Sequence, residues 1–320
     1  THRNCGRKRK SNFPTLKHTP THETHPHPHT AHTRTRTASH VSTHCLRVRT
    51  LRTRGRRFRL PFFVRIKHTH TRTAHTQHTH PHNIMKYLTT DNAKTSKGES
   101  LGVLTGILYL APSNESGRNV CTFASEGCRW ACLYFAGMGA FDNVKQARIA
   151  KTKAFHANPR QFVEDLAHDI EALIRKAQRE GLSPAIRLNG TSDLPWENLG
   201  GDLKVNLMNR FPDVPFYDYT KNPSRARAYA EGKLPANYSL TFSRSESNEP
   251  IALQMLQLGV NVAAVFAVKK GDALPETWGG RTVIDGDLND LRFLDPKNSV
   301  VGLRSKGKAK KDESGFVIYS

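Results

Sequence analysis

The sequence predicts an α/β domain, a partial or complete βα barrel of mainly parallel strands, preceded by a disordered leader rich in His, Thr and Arg. Three observations lead there. From residue 102 onward, short apolar runs alternate with helical patterns, which is the order of repeated βα units. Polar residues cluster just after each apolar run, where a barrel gathers its functional groups. Composition also changes abruptly near residue 85: residues 1–84 hold 15 of the 17 His and 18 of the 49 Lys and Arg, but a single acid, Glu23.

The leader alternates His and Thr almost strictly, as in "THETHPHPHTAHTRTRT". A CA dinucleotide repeat translated in frame reads His-Thr, so residues 1–84 are expected to be extraneous translated sequence. Such a segment buries too little apolar surface to offset its ordering entropy and is expected to be disordered. A single domain is expected over residues 85–320. Its 31 Lys and Arg face 26 Asp and Glu, so the formal charge of +22 for the whole chain falls to +5. A charge this small over such a length admits a nucleic-acid partner without requiring one.

No apolar run reaches the eighteen or so residues of a membrane span, and "MKYLTTDNAKTSKGES" after Met85 is too polar for a signal peptide. A cytoplasmic, reducing setting is therefore expected, where clustered cysteines favour metal ligation over a disulfide.

"GVLTGILYLAP" (102–112) is the first buried strand, ended by proline. A cysteine-bearing loop follows. "FDNVKQARIAKTKAFHANP" reads as a helix that Asp142 or Asn143 could cap and Pro159 closes. The next helix repeats apolar residues at 162, 163, 166, 170, 173 and 174, one helical face, and stops at Gly181. Strands at 185–190, 214–221, 238–245 and 260–268 then alternate with helical segments, among them "LGGDLKVNLMNRFP", and "TVIDGD" and "SVVGLRSKG" come last. Neither a G-x-G-x-x-G turn nor a P-loop is present.

The strand ends supply the candidate site. Asn189, Ser192, Asp193, Trp196 and Glu197 follow one strand, Tyr219 and Lys221 the next, and Ser243 to Glu246 the third. Asp285, Asp287, Asp290 and Arg292 follow the penultimate strand, and Arg304 and Lys306 the last. Cys121, Cys128 and Cys132 sit after the first strand with the spacing C-x6-C-x3-C. Three thiolates are one short of a structural zinc site, with His156 or His168 as the remaining ligand candidates. Three thiolates also leave one iron of a [4Fe–4S] cluster open. Iron–sulfur, zinc and ordinary buried thiols all stay open on spacing alone.

From Met85 the chain resembles the phage "gene product 88" family through "CLYFAGMG", "ARIAKT", "RLNGTSDLPWE", "YDYTK" and the terminal "VIDGDLNDLRFLDPKNSVVGLRSKGKA". More distantly, the order of parts is similar to radical S-adenosylmethionine enzymes. That resemblance implies a three-cysteine cluster loop after the first strand and a polar turn, here Asn189 to Asp193, that holds S-adenosylmethionine. The usual C-x3-C-x2-C spacing is lengthened here, and "NGTSD" stands in place of Gly-Gly-Glu.

The expected function is an enzyme domain acting on a small-molecule or nucleotide-type substrate. Cys121, Cys128 and Cys132 would hold the metal, and Asn189, Asp193 and Ser243 a cofactor. Asp285, Asp287 and Lys221 would carry catalysis, with Lys221 or Lys306 contacting an anion. The alternative is a nucleic-acid-associated protein with a structural zinc, suggested by "RSKGKAKK" (304–311) beside Arg281 and Arg292. A chain starting at Met85 is expected to melt at the same temperature as the full chain and to hold the same metal content. A loss of several kcal/mol, the scale of lost core packing, would show that the leader docks on the domain.

Overall fold

A computed structural model describes residues 87–319 except 93, 200–202 and 204–205. The leader and the disorder expected of it lie outside the described residues. The described chain runs β1 (Leu88–Thr89), α1 (Thr95–Glu99), β2 (Val103–Leu108), α2 (Glu126–Trp130), α3 (Asp142–Ala157) and α4 (Pro159–Glu180). It continues through β3 (Ser183–Arg187), α5 (Leu207–Arg210), β4 (Phe216–Thr220), α6 (Pro223–Ala230), β5 (Tyr238–Ser243), α7 (Glu249–Gln257) and β6 (Val262–Phe266). Strands β7 (Thr277–Trp278), β8 (Arg281–Asp285), β9 (Val300–Arg304) and β10 (Val317–Ile318) complete it.

These strands form one sheet in the order β1-β2-β3-β4-β5-β6-β9-β8-β7, with β10 added against β6. Strands β2 to β6 lie side by side in chain order and are parallel throughout, and β9 and β8 extend the same direction. The sheet does not close, so of the partial or complete barrel expected from the sequence, the complete form does not occur. The physical reason lies at the two ends. The free edge of β2 is taken by antiparallel β1, and that of β8 by antiparallel β7, so the edges that closure would join are already paired. Each of these end strands is only two residues long, which leaves little exposed edge for another chain to pair with.

The core follows from the sequence pattern. All six residues of β2 are buried, as expected for a parallel strand covered on both faces. Helix α4 buries Phe162, Val163, Leu166, Ala167, Ile170, Leu173 and Ala177 in one cluster with Leu104, Leu108, Ile186 and Phe216 of the sheet. A second cluster joins α7, through Ala252, Met255 and Leu256, to Phe242, Val262 and Ala264. Gly106 admits α4 closely: a Cβ there would stand 3.0 Å from the Leu173 and Leu88 side chains. Gly181 ends α4 in the left-handed conformation (φ 67°), the stop read in the sequence.

Local expectations differ in three places. Phe141 occupies the N-cap position of α3 and no side chain caps it, so neither Asp142 nor Asn143 has that role. Asn143 accepts a hydrogen bond only from the adjacent Val144 N–H. Of the helix expected over 199–212, residues 200–202 and 204–205 lie outside the described residues; the described helical part is α5, whose start the Asn206 carboxamide sets by capping residues 208 and 209. The cysteine loop contains a short helix of its own, α2, followed by 3-10 turns at Leu133–Phe135 and Gly137–Ala140. Among the described residues no helix is long and apolar enough to cross a membrane.

Phe162 is 2 % exposed and stacks among Tyr87, Phe155 and Trp196. Phe162→Ala is expected to cost about 3–5 kcal/mol, seen as a lower denaturant midpoint with an unchanged m-value. A cost below about 1 kcal/mol would mean that α4 is not anchored through this ring.

Candidate functional site

A cavity of about 710 Å³ opens at the carboxyl ends of the parallel strands. Its wall brings together Cys121, Cys128 and Cys132 from the cysteine loop, Asn189 and Asp193 from beyond β3, Lys221 from just beyond β4 and Ser243 from β5. Asp287, Asp290, Arg304 and Lys306 close the far side. Residues spread over nearly two hundred positions thus share one space because parallel strands all end on the same rim.

The cysteine loop is tied down from the opposite part of the sheet. Ser125 caps α2 by accepting the Cys128 N–H at 3.2 Å. Glu246, just beyond β5, accepts the Ser125 hydroxyl and the Gly127 N–H, both at 2.8 Å. A carboxylate at a helix start satisfies amides that have no intrahelical partner. Gly127 allows the close approach, since a Cβ there would lie 2.2 Å from Ser314 Oγ and 2.8 Å from Phe316 Cβ. Cys121 donates to the Thr191 carbonyl at 3.6 Å, so the loop also touches the turn after β3.

The three thiols are free and partly buried. Burial pushes the Cys121 thiol up to about 12, against a lowering hydrogen bond from the Ser113 backbone; Cys132 and then Cys128 add smaller repulsive contributions. Burial likewise pushes Cys132 up to about 11, with a lowering hydrogen bond from the Tyr134 backbone and repulsion from Cys128. Both are neutral thiols at physiological pH. Among the described residues no three His, Cys, Asp or Glu side chains converge closely enough to hold a metal ion. The histidines named as further ligands stand elsewhere: His156 lines a separate small pocket and His168 faces Glu171 at 3.5 Å.

The turn after β3 is built by a buried polar network. Asn189 Oδ1 accepts from Ser192 Oγ, Leu194 N and Trp196 Nε1, while its Nδ2 donates to the Leu194 carbonyl and to Asp218. Asp193 accepts from Thr220 Oγ1, Arg225 Nη1 and the Lys221 N–H. The polar atoms of both residues are therefore engaged within the protein, and their contribution is the shape of the turn. Asp218 lies beneath them, accepting from the Asn189 N–H at 2.6 Å and from Tyr238 Oη at 2.9 Å. Burial pushes its carboxyl up to about 7 despite those hydrogen bonds and the nearby Arg187 and Arg225 charges.

On the far wall the acids meet cations. Arg304 Nη1 donates to both Asp285 oxygens at 2.9 Å, and Asp285 does not reach the cavity wall. Asp287 is paired with Arg304 and Lys306, whose hydrogen bonds hold it below the usual carboxylate range in spite of burial. Asp290 pairs with buried Arg187 at 2.6 Å and with Lys94 at 3.6 Å. Part of the basic run is thus already occupied, since Arg304 and Lys306 serve these acids and Lys308 sits over the Phe135 ring.

The sequence named much of the polar wall from strand ends alone. It missed Lys94 and Arg187 on the wall, and Asp218 and Arg225 behind it. A signal existed for Arg187, an arginine inside an otherwise apolar strand, and for Asp218 inside "VPFYDYTK".

Two outcomes follow. Asp218 has a raised folded-state pKa, so its contribution to stability is full below about 4, its unfolded value, and is lost as pH rises to about 7. The stability difference between wild type and Asp218→Asn should therefore decline across that window, by up to about 1.4 kcal/mol per pH unit. A flat difference from pH 4 to 8 would show that the carboxyl titrates normally. Glu246→Ala should cost about 1–3 kcal/mol and speed native-state alkylation of Cys128, followed by mass spectrometry. Unchanged alkylation would mean that the loop is held without Glu246.

Residues 85–320 match the family model described as "Gene product 88". The comparison with curated proteins gave no match, and neither did the comparison with solved structures.

Proposed function

The chain belongs to the gene product 88 family, and from that premise we propose that residues 85–320 form a phage-type enzyme domain on an incomplete βα barrel, with a three-cysteine iron–sulfur site beside a ligand cavity. One observation carries the reading: the three thiols of the loop after β2 all line the cavity at the strand ends, together with seven cationic and five acidic side chains. Cysteines placed for packing alone would have no reason to share that space with Lys221, Arg187 and Lys306.

The donor set suits a cluster better than a single ion. Thiolates around one zinc ion stand about 4 Å apart, given Zn–S distances of about 2.3 Å, and the absence of a convergent trio among the described residues disfavours such a site. A multi-atom cluster spreads its ligands further and tolerates three donors around a wider space. Cys121, Cys128 and Cys132 would hold it, and Arg148, whose charge acts on Cys132, would offset its negative charge. When bound, the cluster would supply redox chemistry and an iron with an open coordination position. The chain's own residues would bind an anionic ligand on the cationic wall and keep water from the thiols by burial.

S-adenosylmethionine fits less well. Asn189 and Asp193, the residues that would hold it, already spend their polar atoms on the turn.

Anaerobic reconstitution with iron and sulfide, followed by visible absorption and iron analysis, tests the site. Ligands of one cluster act as a unit, so Cys121→Ala, Cys128→Ala and Cys132→Ala should each abolish most iron binding, and the triple variant should be hardly worse. A colourless, iron-free protein after reconstitution would reject the proposal. So would graded, additive stability losses with no change in iron.

A further inference from the structure

We propose that Lys221 and Ser243 form an oxyanion subsite that receives the phosphate or carboxylate group of the cavity's ligand. The inference rests on the cavity being a ligand site and is independent of the iron–sulfur cluster.

The charges of the wall single out one residue. Seven cations line the cavity: Lys94, Lys97, Arg129, Arg187, Lys221, Arg304 and Lys306. Lys94 and Arg187 pair with Asp290, and Arg304 and Lys306 with Asp287. Lys97 and Arg129 are exposed to water. Lys221 alone is both buried, at 9 % exposure, and without an ion pair among the described residues.

Its surroundings are built from neutral oxygens. The ammonium donates to Ser243 Oγ at 2.6 Å and faces the Ser243 and Arg244 carbonyls at 3.4 Å each, with the Phe316 ring centroid 5.4 Å away. An ammonium has three donors, and these three oxygens can satisfy its hydrogen bonds but not its charge. Asp193, the carboxylate that receives the Lys221 backbone N–H, is already matched by Arg225. Burying a cation without a counter-ion is costly. A fold keeps such a group at a cavity wall when an anion arrives to complete it. Ser243 belongs to the same subsite because its hydroxyl, while accepting from Lys221, still has its own proton to donate to an oxyanion.

The test measures melting temperature and calorimetric binding in metal-free protein, at constant ionic strength, with inorganic phosphate or acetate as the probe. At least one anion should raise the melting temperature of wild type. Response to phosphate assigns a phosphoryl ligand, and response to acetate alone a carboxylate. Lys221→Met should abolish the shift and weaken binding by roughly tenfold or more, the scale of a charge-assisted contact. Without anion it should melt no lower than wild type, because an uncompensated charge has been removed. Lys221→Arg should keep the shift, which guards against a misfolded Met variant, and Lys311→Met, on the exposed basic run, should leave it intact. No shift in wild type, or a shift that persists in Lys221→Met, would overturn the subsite. Iron content after reconstitution of the same proteins separates the two proposals: an anion response without iron rejects only the cluster, and iron without an anion response rejects only the subsite.

Discussion

The cavity depends on Arg225. This buried guanidinium makes a two-pronged contact with Glu197 at 2.7 and 2.8 Å, reaches Asp193 at 2.6 Å and donates to Tyr238 Oη at 2.9 Å. It therefore fixes the turn after β3 against β5 from a position on α6. Two consequences run into the site. Asp193, so held, receives the Lys221 N–H, and the same turn presents the Thr191 carbonyl to Cys121. Buried ion pairs add little net stability over apolar packing, but removing one partner is strongly destabilising. Their value here is placement: one arginine fixes the positions of a lysine and a cysteine that belong to different strand ends.

The cysteine loop shows the opposite balance. Between β2 and α3 it carries Phe123, Trp130, Leu133, Met138 and Phe141 exposed to solvent, half of the large exposed apolar residues among those described. A loop with so much unburied apolar surface has little core to stabilise it, and its order comes from specific contacts. Glu246 holds its helix start, Gly127 lets it approach Ser314 and Phe316, and Lys308 lies over Phe135. Elements stabilised this way open at lower free energy than core strands. A loop that can open is suited to admitting a ligand, or to assembling a group around its thiols, of which Cys121 and Cys132, raised by burial, hold their protons until a metal displaces them.

The far wall explains why a cavity rich in cations is not simply a basic patch. Asp285, Asp287 and Asp290 pair with Arg304, Lys306, Arg187 and Lys94, three carboxylates against four cations, which positions those side chains while cancelling most of their field. A buried cation with no carboxylate partner among the described residues stands at Lys221, beside β4 and β5.

Much of the fold was legible in the sequence because burial writes a periodic pattern. The apolar face of α4, its glycine stop and the buried strand at Val103–Leu108 each follow from side-chain spacing, and the rule that parallel strands end on one rim named the cysteines, Lys221, Ser243 and Asp287 as neighbours. Open or closed topology was not legible, since it turned on β1 and β7, pairs of residues too short to carry a period. Nor could spacing tell Asn189 and Asp193, whose polar atoms are spent inside the protein, from Lys221, whose charge is not. A polar residue after a strand reads the same whether it faces a partner or a void. Composition and periodicity determined the layers and the rim, but only the tertiary structure decided which charges on that rim are already matched, because matching depends on distances between strands far apart in the chain.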